Sequence, residues 1–127
     1  MRTKVLVVTN NPAADLCEND RPLTGSLLQV LQIARDLVHQ GHILISHPLA
    51  GSVKPNETPY KSIVLSSAAS GQVDYESLAV IEGSLRIAER MLAEKPLPEY
   101  PERVLKDFQL IDCSLLEQAL QSIPGYL

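Results

Sequence analysis

Paired cysteines are missing from this chain of 127 residues: Cys17 and Cys113 are its only two, far apart, with no C-x-x-C spacing and no histidine grouping beside them. That excludes a thioredoxin-like redox motif and the usual structural zinc arrangements, and predicts two free thiols in a reducing compartment. Concentrated positive charge is missing too. Eleven basic residues face 15 acidic ones, the net charge is −4, and no Lys/Arg cluster stands out. A phosphate backbone demands such a cluster, so nucleic acid is not expected as a partner. Apolar runs such as Val5–Val8, Ile43–Ile45 and Ile63–Leu65 fall far short of the roughly 20 residues that cross a bilayer, so no membrane is expected. Met1-Arg2-Thr3-Lys4 leads straight into a strand-like segment without a signal-peptide apolar region, which predicts a cytoplasmic protein.

What is present is an ordinary globular composition, 45% hydrophobic and 20% charged. The expectation is a single α/β domain over 1–127, with 96–127 a helical extension packed on it. A chain of this length buries roughly two thirds of its unfolded surface, enough for stability without a disulfide, metal or cofactor.

Val5–Thr9 is a β-branched apolar run stopped by Asn10-Asn11-Pro12, the pattern of a central strand buried on both faces. Asp20-Arg21-Pro22 argues against regular structure. From Leu27 to Gln40 apolar residues recur at helical spacing, with Ser26 or Thr24 as the cap and Gly41 as the left-handed stop. Ile43–Ser46 and Ser62–Ser66 read as further buried strands. A long helix follows, capped by Asp74, with Leu78, Ile81, Leu85, Ala88 and Leu92 as its stripe and Lys95-Pro96 as its end. Pro96, Pro98 and Pro101 stiffen a connector. Beyond it a shorter helix carries Val104, Leu105, Phe108 and Ile111, and Ser114-Leu115-Leu116-Glu117 matches a capping box that opens a last short helix. The predicted fold is α/β, a small, mostly parallel sheet of three to four strands flanked by helices.

The segment 47–61 holds three prolines and one glycine and concentrates hydrogen-bonding groups of many types. Its prolines pre-set the backbone, so a polar loop keeps one geometry without a large apolar anchor. On a binding reading, Gly51 and Ser52 offer backbone N–H groups and a hydroxyl to an anion, Lys54 and Lys61 neutralise it, and His47 donates a hydrogen bond or proton. Asn56, Glu57, Thr58 and Tyr60 complete the candidate set, with Asn10 and Asn11 at the end of the first strand. The spacing is not that of a P-loop, which runs through Gly-Lys-Ser/Thr into a helix. The competing reading is structural: these residues satisfy backbone groups of a long crossover, with Glu57 and Lys61 paired at the surface. Asn10-Asn11 before Pro12 is equally a turn former. His39, His42 and His47 show no metal-ligand spacing, and no metal is expected.

Thr9-Asn10-Asn11-Pro12, His39-Gln40-Gly41-His42, the run from His47-Pro48-Leu49 through Gly51-Ser52-Val53-Lys54-Pro55-Asn56-Glu57-Thr58-Pro59-Tyr60-Lys61-Ser62, and Asp107–Asp112 together resemble the GrdX family. These are small proteins encoded beside components of glycine, sarcosine and betaine reductase in amino-acid-fermenting anaerobes. The resemblance implies an accessory role, with reductase components as partners. The family's partner enzymes use selenol and thiol chemistry, and a chain without paired cysteines is not expected to be an electron carrier among them. The leading expectation is a non-redox accessory protein that binds a small anion through the 47–61 loop. The alternative is an assembly module that docks a reductase subunit, or a second copy of itself as a homodimer, through that loop. A third option is a small enzyme with His47 as general acid or base.

Overall fold

The computed structural model describes residues 4–51 and 53–123. Strand β1 (Val5–Thr9) is the middle of a three-stranded sheet of order β2-β1-β3, where β2 is Arg21–Pro22 and β3 is Ser62–Ser66. All five residues of β1 are buried, because the strand alternates between two packed faces. Leu6 and Val8 meet α1 (Leu27–His39) and α2 (Tyr75–Glu94) through Leu31, Leu37, Ile81 and Leu85. Val5 and Val7 face the other way, onto Leu116 and Leu120 of α3 (Glu102–Gln121). The strands of β3 split likewise, Ile63 and Leu65 toward α1 and α2 and Val64 toward α3.

The sheet is mixed and has three strands, which corrects the expectation of a mostly parallel one. β1 pairs with β2 in parallel, at Val8↔Arg21 and Thr9↔Pro22, but with β3 in antiparallel, from Val5↔Ser66 to Thr9↔Ser62. The expected strand at Ile43–Ser46 reduces to one antiparallel bridge, Leu44↔Leu65. Since this segment and β1 both run antiparallel to β3, they share a direction, and β3 lies between them. The segment is an edge rather than an inner strand, and Ile43 and Ile45 are exposed. Side chains stand in for ladder groups here: Ser66 Oγ accepts from Ile43 N at 2.8 Å, and Ser46 Oγ from Val64 N at 2.9 Å. Residues 19–23 line the opposite edge of the sheet. The Asp20 carboxylate accepts from Val7 N (2.9 Å) and Cys17 N (2.8 Å), and Leu23 N donates to Thr9 O (2.9 Å). Asp20-Arg21-Pro22, expected to lack regular structure, instead supplies the two-residue strand β2, where Pro22 is tolerated because the strand lies at an edge.

Helix boundaries follow local chemistry. Ser26 caps α1 in a capping box with Gln29, and Gly41, at φ 105°, ends it. Gly41 N donates to Val38 O and His42 N to Leu37 O, the two bonds of a Schellman motif. Asp74 caps α2 through Ser77 N, and the Ser77 hydrogen bonds hold its carboxyl below the ordinary range. At the far end of α2, Asn56 Nδ2 reaches Met91 O (3.2 Å) and Lys95 O (3.3 Å). The C-terminal region is one helix, not two. Ser114 lies inside α3 because the inward residues Phe108, Asp112, Leu116 and Leu120 recur every four residues straight through it, leaving no place for a cap. No described helix is long and apolar enough to cross a membrane.

Candidate functional site

Proline-set turns carry the chain from the edge segment back to β3, and that path lays residues 48–51 and 53–61 across the start of α1 and the middle of α3. Between them is a cleft lined by Leu27, Leu49, Val53, Tyr60, Lys61 and Leu115, with Asp112 at its base. It encloses about 360 Å³ counted to its open mouth, of which about 20 Å³ admits the centre of a water molecule. That inner space holds roughly one water, so any guest is limited to a few heavy atoms unless the walls move.

The base of the cleft is a buried polar network. Asp112 Oδ1 accepts from Ser62 N (3.1 Å), while Oδ2 accepts from Ser62 Oγ (2.7 Å) and Asn11 Nδ2 (3.0 Å). Thr9 Oγ1 and Ser62 Oγ share a hydrogen bond of 2.7 Å, and Asn11 N donates to Thr9 Oγ1 at 3.0 Å. Asp112 is 6% exposed, so these donors take the place of water around its charge. Val64 N already marks the outer edge of β3, where it meets Ser46; Ser62 N, two residues earlier on the same edge, lies beyond that segment and is capped by Asp112 instead.

Lys61 lines this cleft, and its ammonium donates to Ala50 O at 3.2 Å on the cleft's wall. Burial lowers its pKa, and the Asp112 charge opposes that shift. Cys113 lies next in the chain, 3.4 Å from Asn11 Nδ2 through its sulfur; burial, seconded by the Asp112 charge, pushes its thiol up. A thiol so placed is a poor nucleophile.

Among the sequence-predicted residues, Thr58, Tyr60 and Lys61 line the cleft. Tyr60 accepts from Gln109 Nε2 at 2.9 Å, and Thr58 Oγ1 bonds the backbone of Tyr60. Gly51 adopts φ 94° against Leu115, where a Cβ would come within 2.9 Å of Cδ1. Ser52 is outside the described residues. Asn10 and Asn11 are both buried and engaged internally. Asn10 Nδ2 donates to Gly25 O (2.9 Å) and Pro59 O (2.8 Å), and its Oδ1 accepts from Lys61 N (2.8 Å). Asn11 Nδ2 also donates to Gln109 O (2.9 Å), and its Oδ1 accepts from Ala13 N (2.9 Å).

The remaining candidates lie elsewhere. Asn56 caps α2, and Glu57 Oε1 accepts from Lys54 N at 2.9 Å to close a local turn. His47 borders a separate, shallow depression with Ile45, Asp74 and Ser77, and its Nδ1 accepts from Leu49 N at 3.1 Å. The structure thus gathers Thr58, Tyr60 and Lys61, and separates them from His47, Lys54, Asn56 and Glu57. Asp112, Ser62 and Thr9 escaped sequence reasoning. One signal pointed to them: a carboxylate on the inward four-residue stripe of α3, where a charge is retained only with partners. Among the described residues, no group of three or more His, Cys, Asp or Glu is placed to hold a metal ion.

Compared with known protein families, residues 6–121 match the model described as GrdX-like protein, a span that includes the whole cleft and its polar base. No curated protein and no solved structure matches the chain significantly.

Proposed function

The chain belongs to the GrdX-like protein family, and from that premise we propose that it is a non-redox accessory protein of glycine, sarcosine and betaine reductase systems. It works as one α/β unit and binds a small anion against Lys61, under the 47–61 loop. The observation that carries this reading is the Lys61 ammonium in a mainly apolar cleft, where burial disfavours its charge and an arriving anion would restore it. An ammonium has three donors, and the Ala50 carbonyl takes one. The cleft's size selects a ligand of few heavy atoms. The non-redox part rests on two free cysteines, of which Cys113 has its thiolate suppressed.

Calorimetry with phosphate, acetyl phosphate, glycine and nucleotides tests the proposal. Binding of a small member of this panel, lost in Lys61→Met but kept in Lys54→Met, is the expected result; silence from the whole panel overturns it.

A second reading, docking of a reductase subunit, is supported by Leu110, 70% exposed on α3 beside the half-exposed Ile111 of the cleft wall. Leu110→Ser abolishes co-purification of a reductase component if this surface docks one, and leaves small-anion binding intact.

A further inference from the structure

We infer that Lys61 is an imine-forming amine, and that the cleft accepts a carbonyl compound of two or three carbons whose carbonyl carbon Lys61 attacks. The inference rests on the reading of the cleft as a ligand site and specifies the reactive end of its ligand.

Three observations converge. Lys61 shares its cleft with mainly apolar side chains, including Leu49, Val53 and Leu115, and burial lowers its pKa against the pull of Asp112, so its free amine is more available than that of an ordinary lysine. Asp112 lines the same cleft and is fixed in place by Ser62 N, Ser62 Oγ and Asn11 Nδ2. A fixed negative charge stabilises a cationic iminium as it forms, and does so without reorganising. The inner space, about 20 Å³ for the centre of a water, takes little more than the reacting end of a guest, so the rest of a short carbonyl compound lies in the open part of the cleft.

The step balances without a co-reactant. The Lys61 Nζ lone pair forms a bond to the carbonyl carbon, and the C=O π pair moves to oxygen, which takes a proton from solvent. The nitrogen gives up a proton, the hydroxyl leaves as water after a second protonation, and a C=N bond remains. Hydrolysis reverses it. Asp112 and the Tyr60 phenol are the titratable groups that share the cleft with Lys61. Asp112 favours the charged iminium, and the Tyr60 oxygen accepts from Gln109 Nε2.

The test uses the whole protein with glyoxylate and cyanoborohydride near neutral pH, followed by peptide mass spectrometry. Cyanoborohydride reduces the C=N bond and makes the adduct permanent. The other lysines, Lys4, Lys54, Lys95 and Lys106, are internal references. The expected result is a reduced adduct concentrated on Lys61. Each pH unit by which its pKa is lowered multiplies its free amine by about ten relative to an ordinary lysine. The preference vanishes in urea, and Lys61→Arg, which keeps the charge, gives no preferred site. An even spread over the five lysines in the folded protein overturns the inference, as does a Lys61 preference that survives in urea. Calorimetry with the panel of phosphate, acetyl phosphate, glycine and nucleotides separates this from the anion reading. An adduct on Lys61 with no binding from any member of the panel keeps the imine and removes the anion, and binding of a small member of the panel without a selective adduct does the reverse.

Discussion

Replacing Asp112 tests the base of the cleft directly. In Asp112→Ala, Ser62 Oγ keeps its hydrogen bond to Thr9 Oγ1, and Asn11 Nδ2 keeps Gln109 O and Cys113 Sγ, so each loses one partner but is not orphaned. Ser62 N, at the edge of β3, is left without the acceptor that Asp112 provides. An orphaned buried donor costs about 1–3 kcal/mol, and the lost charge-assisted bonds add to it, offset by the desolvation that the carboxylate no longer requires. The net loss is about 3 kcal/mol. In Asp112→Asn the amide oxygen still accepts from Ser62 N, but the amide nitrogen replaces the acceptor that Asn11 Nδ2 meets at 3.0 Å, and two donors then face each other. About 1.5–2 kcal/mol is lost there. Urea unfolding measures both. With m of roughly 1.5–2 kcal/mol/M for a chain of this size, the alanine variant's midpoint falls by about 1.5–2 M, and the asparagine variant's by about half that, with m unchanged. Losses below about 0.5 kcal/mol in both variants would refute the network, because no buried carboxylate bonded to three donors is removed so cheaply. A cycle of Asn11→Ala and Asp112→Ala should show a coupling of about 1 kcal/mol, since the two side chains touch.

Asn10→Asp turns two donations, to Gly25 O and Pro59 O, into contacts between a carboxylate and carbonyls at the same site, and should cost about 3 kcal/mol or more by thermal or urea unfolding. Gly41→Ala forces a side chain into φ 105° with its Cβ 2.9 Å from Gly71 N; a loss of about 2 kcal/mol is expected, measured as a fall in Tm. Cys113, its pKa raised above the ordinary 9.0, should react with iodoacetamide more slowly in the folded protein than in urea at pH 8. Its folded state holds the proton more tightly than the unfolded one, so this contribution to stability is full below pH 9.0 and is lost as pH climbs through the raised folded value, which unfolding midpoints at pH 8 and above will report.

Much of the fold was legible because its signals are local. The all-apolar run at Val5–Thr9 requires two covered faces, and it receives them. Ser26 with Gln29, Gly41 and Asp74 set helix ends by backbone chemistry that acts within a turn. Partner choice between strands was not legible. Ile43–Ser46 and Ser62–Ser66 both look like inner strands, and what decides between them is that only Ser62–Ser66 is covered by α3 on its second face, a contact from about fifty residues away. The Ser114 capping box failed because a cap needs an interruption in the stripe, and none occurs between Phe108 and Leu120. At the site, the sequence singled out the 47–61 loop with both Lys54 and Lys61, and of these two only Lys61 lines the cleft. The sequence could not show that Asp112, Ser62 and Thr9 meet, because each is ordinary in its own neighbourhood.

A loop dense in polar groups has two uses for them, and the accounting of backbone partners separates the two. A chain that crosses over helices must satisfy its own N–H and C=O groups wherever water is excluded. Asn10 meets that need for Gly25, Pro59 and Lys61, Asn56 for Met91 and Lys95, and Glu57 for Lys54. Each of these side chains is engaged by the fold, and a ligand that recruited it would first have to break a bond that shapes the loop. Lys61 is different in kind. Among the described residues its ammonium donates to Ala50 O on the flank of the cleft, and burial lowers its pKa while the Asp112 charge raises it. A group held at such a cost gains more from a guest than a satisfied amide can, which is the physical reason the proposed chemistry of this loop centres on one amine.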